Sequence, residues 1–289
     1  MSVLYLDTDC EIPVHEYNKL TAETISMPYT IDGEQIYPDP TKDFDYKDFF
    51  GRVRKGSMPT TMALNPQDYI ELFEPALKAN EDILYVHFSH KMSGTFDYMN
   101  QAIEELKKKY PECKITTVDT LSISAGAGLT AMLAAQMHKR GASDDEIVKF
   151  VEKFRQESNC YFVVDNLMHL FRGGRLSKTS AVIGSMINLK PLIGVNSDGK
   201  LEACAKIMGR KKSLLALVDK VKQYGTNLAD YPLYILQADC EEDGKFVYDK
   251  LKELFPEVNI EIMPIGPVIG AHCGPGTVGV IFHANKRNM

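Results

Sequence analysis

Three short apolar runs, each breaking off in polar residues and each followed by a helical pattern, organise the first half of this 289-residue chain. They are residues 3–9 (VLYLDTD), 82–89 (DILYVHFS) and 114–120 (KITTVDT). After the second, Phe96, Met99, Ile103 and Leu106 recur at helical spacing, with charged residues on the other face. After the third, Leu129, Met132, Leu133, Gln136 and Met137 predict a helix closed by Gly141. Ser143 and Glu146 then cap another helix through Ile147, Val151 and Phe154. Strands alternating with helices predict a parallel sheet with helices on its faces.

Residues 10 to about 66 interrupt that alternation. They hold Pro13, Pro28, Pro38, Pro40 and Pro59 and no long periodic segment, and read as an irregular excursion with short strands folded over the carboxyl edge of the sheet. The excursion ends at Asn65-Pro66, an N-cap followed by proline at the first helical position.

From about residue 161 the texture changes. A strand at 161–165 leads to a glycine-basic segment, 171–178 (FRGGRLSK), and then to an apolar helix from Ala181 to Leu189. Segments 191–195 and 200–205, joined by Asn196 to Gly199, predict a hairpin. A helix at 211–224, a strand at 233–238, a helix at 242–255 and strands near 258–263 and 277–283 complete the half. The expected architecture is α/β with two domains. Residues 1–160 form a parallel-sheet α/β domain, and residues 161–289 form an α+β domain on a mixed sheet.

Composition narrows the functions. With 44% hydrophobic and 25% charged residues the chain reads as an ordinary globular protein. No apolar run reaches the roughly 20 residues of a membrane span, so no stable membrane insertion is expected. A formal charge of −6 argues against a general nucleic-acid binder. The N-terminus lacks the basic region of a signal peptide, and the six scattered cysteines form no CxxC pair. Reduced thiols in a cytoplasmic protein without metal or cofactor are the expectation.

The chemistry gathers where strands meet helices. In a parallel sheet, ligands lie beyond the carboxyl ends of the strands. The stretch 87–102 (HFSHKMSGTFDYMNQA) sets hydroxyls, a glycine and two histidines at such a seam. The helix start after Ser93, Gly94 and Thr95 offers free N–H groups and hydroxyls, which suit a carboxylate or phosphate. Two other readings stay open. Ser93 can simply cap its helix, or it can attack as a nucleophile with His272 as base and Asp7 or Asp119 orienting it, as in a serine hydrolase acting on acyl esters. Against the hydrolase, Ser93 sits in no GxSxG elbow. Residues 122–129 (SISAGAGL) also open a helix but lack GxGxxG spacing. Residues 265–276 (IGPVIGAHCGPG) read as a turn that either presents His272 or simply reverses the chain.

Taken in order, these pieces form a pattern. Asp7 to Asp9, Pro59-Thr60-Thr61, Ser89 to Thr95, Val118-Asp119 with residues 124–128, Phe171 to Leu176, Leu189 to Leu192, Gly199, Arg210 and the closing 265–276 segment together resemble the DegV family of bacterial fatty-acid-binding proteins. The resemblance spans nearly the whole chain. It implies a non-catalytic carrier holding one long-chain fatty acid in a tunnel between its two domains, with the carboxylate bound by hydroxyls. Carried over by position, Thr61 and Ser93 bind the carboxylate, with Thr60, Gly94 and His272 nearby, and Arg172 and Arg175 face the head group's exit or a docking partner. Ile187, Leu189 and Ile193 fall in apolar segments suited to the tunnel wall, though each is equally plain domain core when taken singly. Some members of the family present their fatty acid to a fatty-acid kinase for phospholipid synthesis, so such a kinase is the expected partner. Thr8, Phe88-Ser89 and Thr60-Thr61 depart from the usual family residues and leave the acyl preference open.

Overall fold

The computed structural model describes residues 2–175 and 189–289. In chain order its elements begin with β1 (Val3–Asp7), α1 (Val14–Tyr17), β2 (Glu23–Ile25), β3 (Tyr29–Ile31), β4 (Glu34–Ile36), α2 (Tyr46–Arg54) and β5 (Thr60–Thr61). Next come α3 (Pro66–Lys78), β6 (Ile83–His87), α4 (Thr95–Lys109), β7 (Ile115–Asp119), α5 (Ala125–Lys139) and α6 (Asp144–Phe154). The second half holds β8 (Ser158–Val163), α7 (Met168–Arg172), β9 (Leu189–Val195), β10 (Leu201–Met208) and α8 (Arg210–Tyr224). It closes with β11 (Leu233–Gln237), α9 (Glu241–Leu254), β12 (Ile260–Pro264), α10 (Pro267–Cys273) and β13 (Val278–His283).

The chain divides into two compact units. The first comprises residues 1–30, 35–43 and 61–155; the second comprises 31–34, 44–60 and 156–289. The first carries a four-stranded parallel sheet in the order β2-β1-β6-β7. Every residue of β6 is buried, as a central strand covered on both faces requires. Helix α4 buries Phe96, Met99, Ala102, Ile103 and Leu106 and ends in Lys107 to Lys109, where the carbonyl end of the helix favours cations. Asn65 caps α3 through Gln67 N–H (2.8 Å) and Asp68 N–H (3.2 Å), and Asp68 returns a bond to Asn65 N–H at 2.7 Å. Ser143 and Glu146 cap α6 in the same way.

Two buried contacts fix the carboxyl edge of this sheet. Asp7, at the end of β1, accepts the Tyr85 hydroxyl and the Phe88 N–H, both at 3.1 Å. Burial pushes its carboxyl up to about 6, although both bonds pull the other way. Gly128 of α5 lies against the backbone of Cys10, where an added Cβ would fall 2.0 Å from the carbonyl oxygen. Only glycine fits there, because the neighbour is main chain and cannot swing aside.

The second unit is built on a six-stranded mixed sheet in the order β10-β9-β8-β13-β11-β12. All its pairings are antiparallel except β11 with β12. Leu217 and Val221 of α8 and Val247 and Leu251 of α9 pack with Tyr161, Ile235, Val280 and Phe282 of the strands into one core. The β9–β10 hairpin turns at Asn196, whose side chain accepts the N–H groups of Asp198 and Lys200, while Gly199 takes the left-handed conformation at φ 81°.

The structure departs from the sequence reading in four places. Leu189 opens β9 rather than closing a helix, and residues 181–188 of that expected helix lie outside the described residues, as does Ile187. The excursion contains the nine-residue helix α2, which buries Phe49, Phe50 and Val53. Its β2 joins the main sheet beside β1. The segment around His272 is the helix α10 rather than a turn, started by Pro267 at its first position.

Two outcomes are expected. Gly128→Ala should destabilise the protein by about 1–3 kcal/mol as α5 is forced off the Cys10 backbone, read as a lower midpoint in urea; an unchanged midpoint contradicts that packing. Asp7 has its folded pKa raised above the usual carboxylate value, so its contribution to stability is complete below pH 4 and is lost as pH rises through about 6. The melting temperature of the wild type relative to Asp7→Asn should therefore rise between pH 7 and pH 4, and a difference flat with pH contradicts it.

Candidate functional site

The loop from Ser89 to Gly94 joins the buried strand β6 to α4 and is held at both ends. Its start is tied to β7: His90 donates its backbone N–H to the Asp119 carboxylate at 3.0 Å and sets its ring nitrogen Nδ1 2.5 Å from the same oxygen. The other Asp119 oxygen accepts Leu121 N–H at 2.6 Å. Ser89 N–H reaches the Ser122 carbonyl at 2.7 Å. Its end is tied by Thr95, fully buried, whose hydroxyl accepts Leu64 N–H at 3.1 Å, lies 3.3 Å from the Leu64 carbonyl and bonds the Tyr69 hydroxyl at 2.9 Å. Thr95 is therefore a structural staple and not the ligand donor that the sequence suggested. The staple anchors the segment that follows Thr61 to the start of α4, two residues from Ser93.

Between these ties the helix start is open. Ser93 Oγ accepts the Thr95 N–H at 3.2 Å, so it serves in part as a cap, while Gly94 occupies the N-cap position. The Ser93 hydroxyl proton and the N–H groups of Ser93, Gly94 and Phe96 have no acceptor among the described residues. Ser93 is half-buried and Gly94 exposed. A Cβ on Gly94 would meet nothing within 4 Å, and its φ of −75° suits any residue, so the protein's own packing does not demand glycine there. Unsatisfied N–H groups at the positive end of a 15-residue helix, with a serine proton beside them, form an acceptor-seeking site.

The competing helix start, at α5, is different. The Ser124 hydroxyl donates to the carboxylate of Glu11, so an acid of the protein itself already stands at that serine. Ser124 and Leu121 both hold left-handed backbone conformations, at φ 55° and 48°, to make this loop. Sequence spacing alone made the two helix starts look alike; the Glu11 contact separates them.

The nucleophile reading fares poorly on the same evidence. Asp119 is committed through both oxygens to His90 and Leu121, and Asp7 holds Tyr85 and Phe88 through one oxygen, so both carboxylates named as orienting groups serve to hold the sheet edge.

Within the second unit, two glycine-bearing segments interlock around two histidines. A Cβ on Gly173 would fall 2.3 Å from Nδ1 of His272, and a Cβ on Gly274 would fall 2.3 Å from the ring of His169. Each loop thus keeps a glycine where the other places an imidazole. Burial, aided by Arg175, pushes the His272 pKa down to about 4, so its ring is neutral at pH 7. Burial and Arg172 likewise lower that of His169. The Arg175 guanidinium donates to the Gly173 carbonyl, and Arg172 is exposed. Thr277 holds the end of α10 by donating toward the carbonyls of Cys273 and Gly274, both at 3.0 Å. Arg210 grips the Gly276 carbonyl at 2.6 Å and Asp243 at 2.7 Å. His169 escaped the sequence reading; its only signal was its position four residues before the RGGR glycine.

Of the residues singled out from sequence, Thr61, Ser93 and Gly94 lie in the first unit, and Thr60, Arg172, Arg175, Leu189, Ile193 and His272 in the second. Ile193 is wholly buried and Leu189 partly so. All six cysteines are free thiols. Among the described residues no group of His, Cys, Asp and Glu is placed to hold a metal ion, and no helix is long and apolar enough to cross a membrane.

The model of the family described as "Uncharacterised protein, DegV family" matches residues 3–285. A DegV domain-containing protein of Clostridium perfringens is 38% identical over 285 residues, covering 99% of this chain and 98% of the relative. Among solved structures, a DegV family protein of Ruminococcus gnavus, refined with vaccenic acid, superposes with a TM-score of 0.81 at 25% identity, covering 97% of this chain and 99% of that one. The Streptococcus pneumoniae fatty acid kinase B3 protein, loaded with linoleic acid, has the same fold at 20% identity and a TM-score of 0.81, covering 98% of this chain and 100% of that one. The match runs through both units and through every segment that carries the site residues: the chain belongs to the DegV family.

Proposed function

We propose that this protein binds one long-chain fatty acid, encloses its tail in an apolar tunnel, and holds the carboxylate through Ser93 and Thr61, with Gly94, Thr60 and His272 contributing. The observation that carries the reading is the open start of α4, where the Ser93 proton and three backbone N–H groups lack acceptors among the described residues. Membership of the DegV family and the vaccenic acid in the Ruminococcus gnavus relative support the choice of a fatty acid over other anions.

The energetics suit a carrier. Burying an acyl chain contributes about 0.8 kcal/mol per methylene, so some fifteen methylenes supply on the order of 10 kcal/mol. The head group then needs orientation more than attraction, and hydroxyl and N–H donors provide it at about 1–3 kcal/mol each. A neutral His272 fits such a site, because an imidazole can donate one hydrogen bond while accepting another. The protein acts as a carrier and performs no bond-making step of its own; Ile193 and Leu189 are the described candidates for the tunnel wall.

We further place the loaded carrier before a fatty-acid kinase, in keeping with the description of the pneumococcal protein of the same fold. Arg172 and Arg175 flank the loop that closes on His272, and their guanidinium groups suit a phosphoryl group arriving at the carboxylate or a docking kinase.

Titration with a fluorescent long-chain fatty acid tests the head-group assignment. Ser93→Ala and Thr61→Ala should each weaken binding by about tenfold, as expected for a lost bond to a carboxylate. Gly94→Ala should weaken binding without lowering the melting temperature. Unchanged affinity in all three contradicts the site. Arg172→Glu with Arg175→Glu should leave binding within about twofold while abolishing phosphorylation of the bound acid by a fatty-acid kinase; full phosphorylation contradicts the role given to those arginines.

A further inference from the structure

The contact between the two glycine-bearing segments of the second unit has a register. Asp165 meets Gly276, His169 meets Gly274, and Gly173 meets His272. A Cβ added to the glycine would fall 2.8 Å from Cβ of Asp165 at the first rung and 2.3 Å from an imidazole at each of the other two. The rungs therefore step along 165, 169 and 173 on one segment and back along 276, 274 and 272 on the other. His169 and Gly173 share one face of α7 and its cap. Gly274 and Gly276 hold left-handed conformations, at φ 73° and 79°, which lets the second segment follow that face.

The three rungs are not equivalent. The first is anchored on both sides. Lys190 Nζ donates to the Asp165 carbonyl at 2.8 Å and to its carboxylate at 2.5 Å. Arg210 holds the Gly276 carbonyl at 2.6 Å, and the Gly276 N–H reaches the Ala238 carbonyl at 2.8 Å. The last rung carries His272. Between them stands His169, which meets the Gly274 position through Cγ, Cδ2 and Nε2 of its ring. Neither ring nitrogen takes a hydrogen bond from the described residues, so the ring acts there by its shape.

Gly274 is the C-cap of α10, two residues beyond His272. A smaller side chain at position 169 leaves a gap behind that cap, and the last turn of α10 relaxes into it. His272 then leaves the socket that Gly173 provides. We propose that His169 is a positioning residue: by filling the space at Gly274 it holds the end of α10 where His272 seats against Gly173. Its consequence for ligand binding rests on the head-group role proposed for His272. The charged group facing His272 is Arg175, and α2 faces α10 at Gly270 with the uncharged rings of Phe49 and Phe50. Leaving the socket thus changes chiefly how much water the His272 ring meets, and a wetter imidazole takes up a proton more readily.

Two readouts on the full chain test this. In lipid-free protein the His272 ring resonance, assigned by its loss in His272→Gln, should remain that of a neutral imidazole from pH 7 down to about 5.5. His169→Ala should let that ring take up a proton within the same range, and should weaken binding of a fluorescent long-chain fatty acid about tenfold. His169→Phe keeps the ring edge that meets Gly274, and should restore the neutral resonance and bring affinity back to within about twofold. A His169→Ala protein that matches the wild type in both readouts overturns the proposal. So does a His169→Phe protein that fails in both, because ring shape is then not what acts. If the resonance moves while affinity does not, or if the wild type binds no fatty acid, the head-group reading of His272 fails and the positioning stands.

Discussion

A helix cannot satisfy its own first N–H groups, and much of this protein's candidate site follows from how two helices at one sheet edge meet that constraint. At α5 the protein brings its own acid, Glu11, to Ser124. At α4 none of the described acids stands at Ser93: Thr95 is used as a staple to Leu64 and Tyr69, Ser93 turns its oxygen to one N–H, and the remaining donors have no acceptor among the described residues. The ties that hold this loop, the buried one from Asp7 to Phe88 and the exposed one from Asp119 to His90, hold the open donors in place before any ligand arrives. Preorganisation of that kind lowers the cost of binding a carboxylate.

The two units solve their local problems by different means. In the first, a continuous apolar strand and capped helices follow from propensity and pattern. In the second, glycine and histidine exchange places: Gly173 makes room for His272, and Gly274 for His169. That interlock explains why a glycine-basic segment and a glycine-proline segment, about one hundred residues apart, must be kept together in one chain. Burial lowers the pKa of both imidazoles, with Arg172 adding to it at His169 and Arg175 at His272.

Legibility in the sequence tracks the length and regularity of each element. β6, α4 and α6 were readable because burial repeats at a single period over many residues and because Ser143 and Glu146 announce a cap. α10, with seven residues and three internal or flanking glycines, offered no period to read, and α2 was hidden by the prolines and tyrosines around it. Ser93 was visible as a candidate from its seam position, but the sequence could not tell it from Ser124; that needed Glu11, 113 residues away. Thr95 looked like a donor and proved to be a staple for the same reason, since Leu64 and Tyr69 approach it only in the folded chain.

The most direct test of the account is mass spectrometry on freshly purified protein, run once under native conditions and once on an organic extract. The account predicts a native mass above that of the chain by one long-chain fatty acid, and the same acid, near one equivalent, in the extract. A native mass equal to that of the bare chain, with no fatty acid extracted and none taken up when the protein is incubated with it, would contradict the carrier reading.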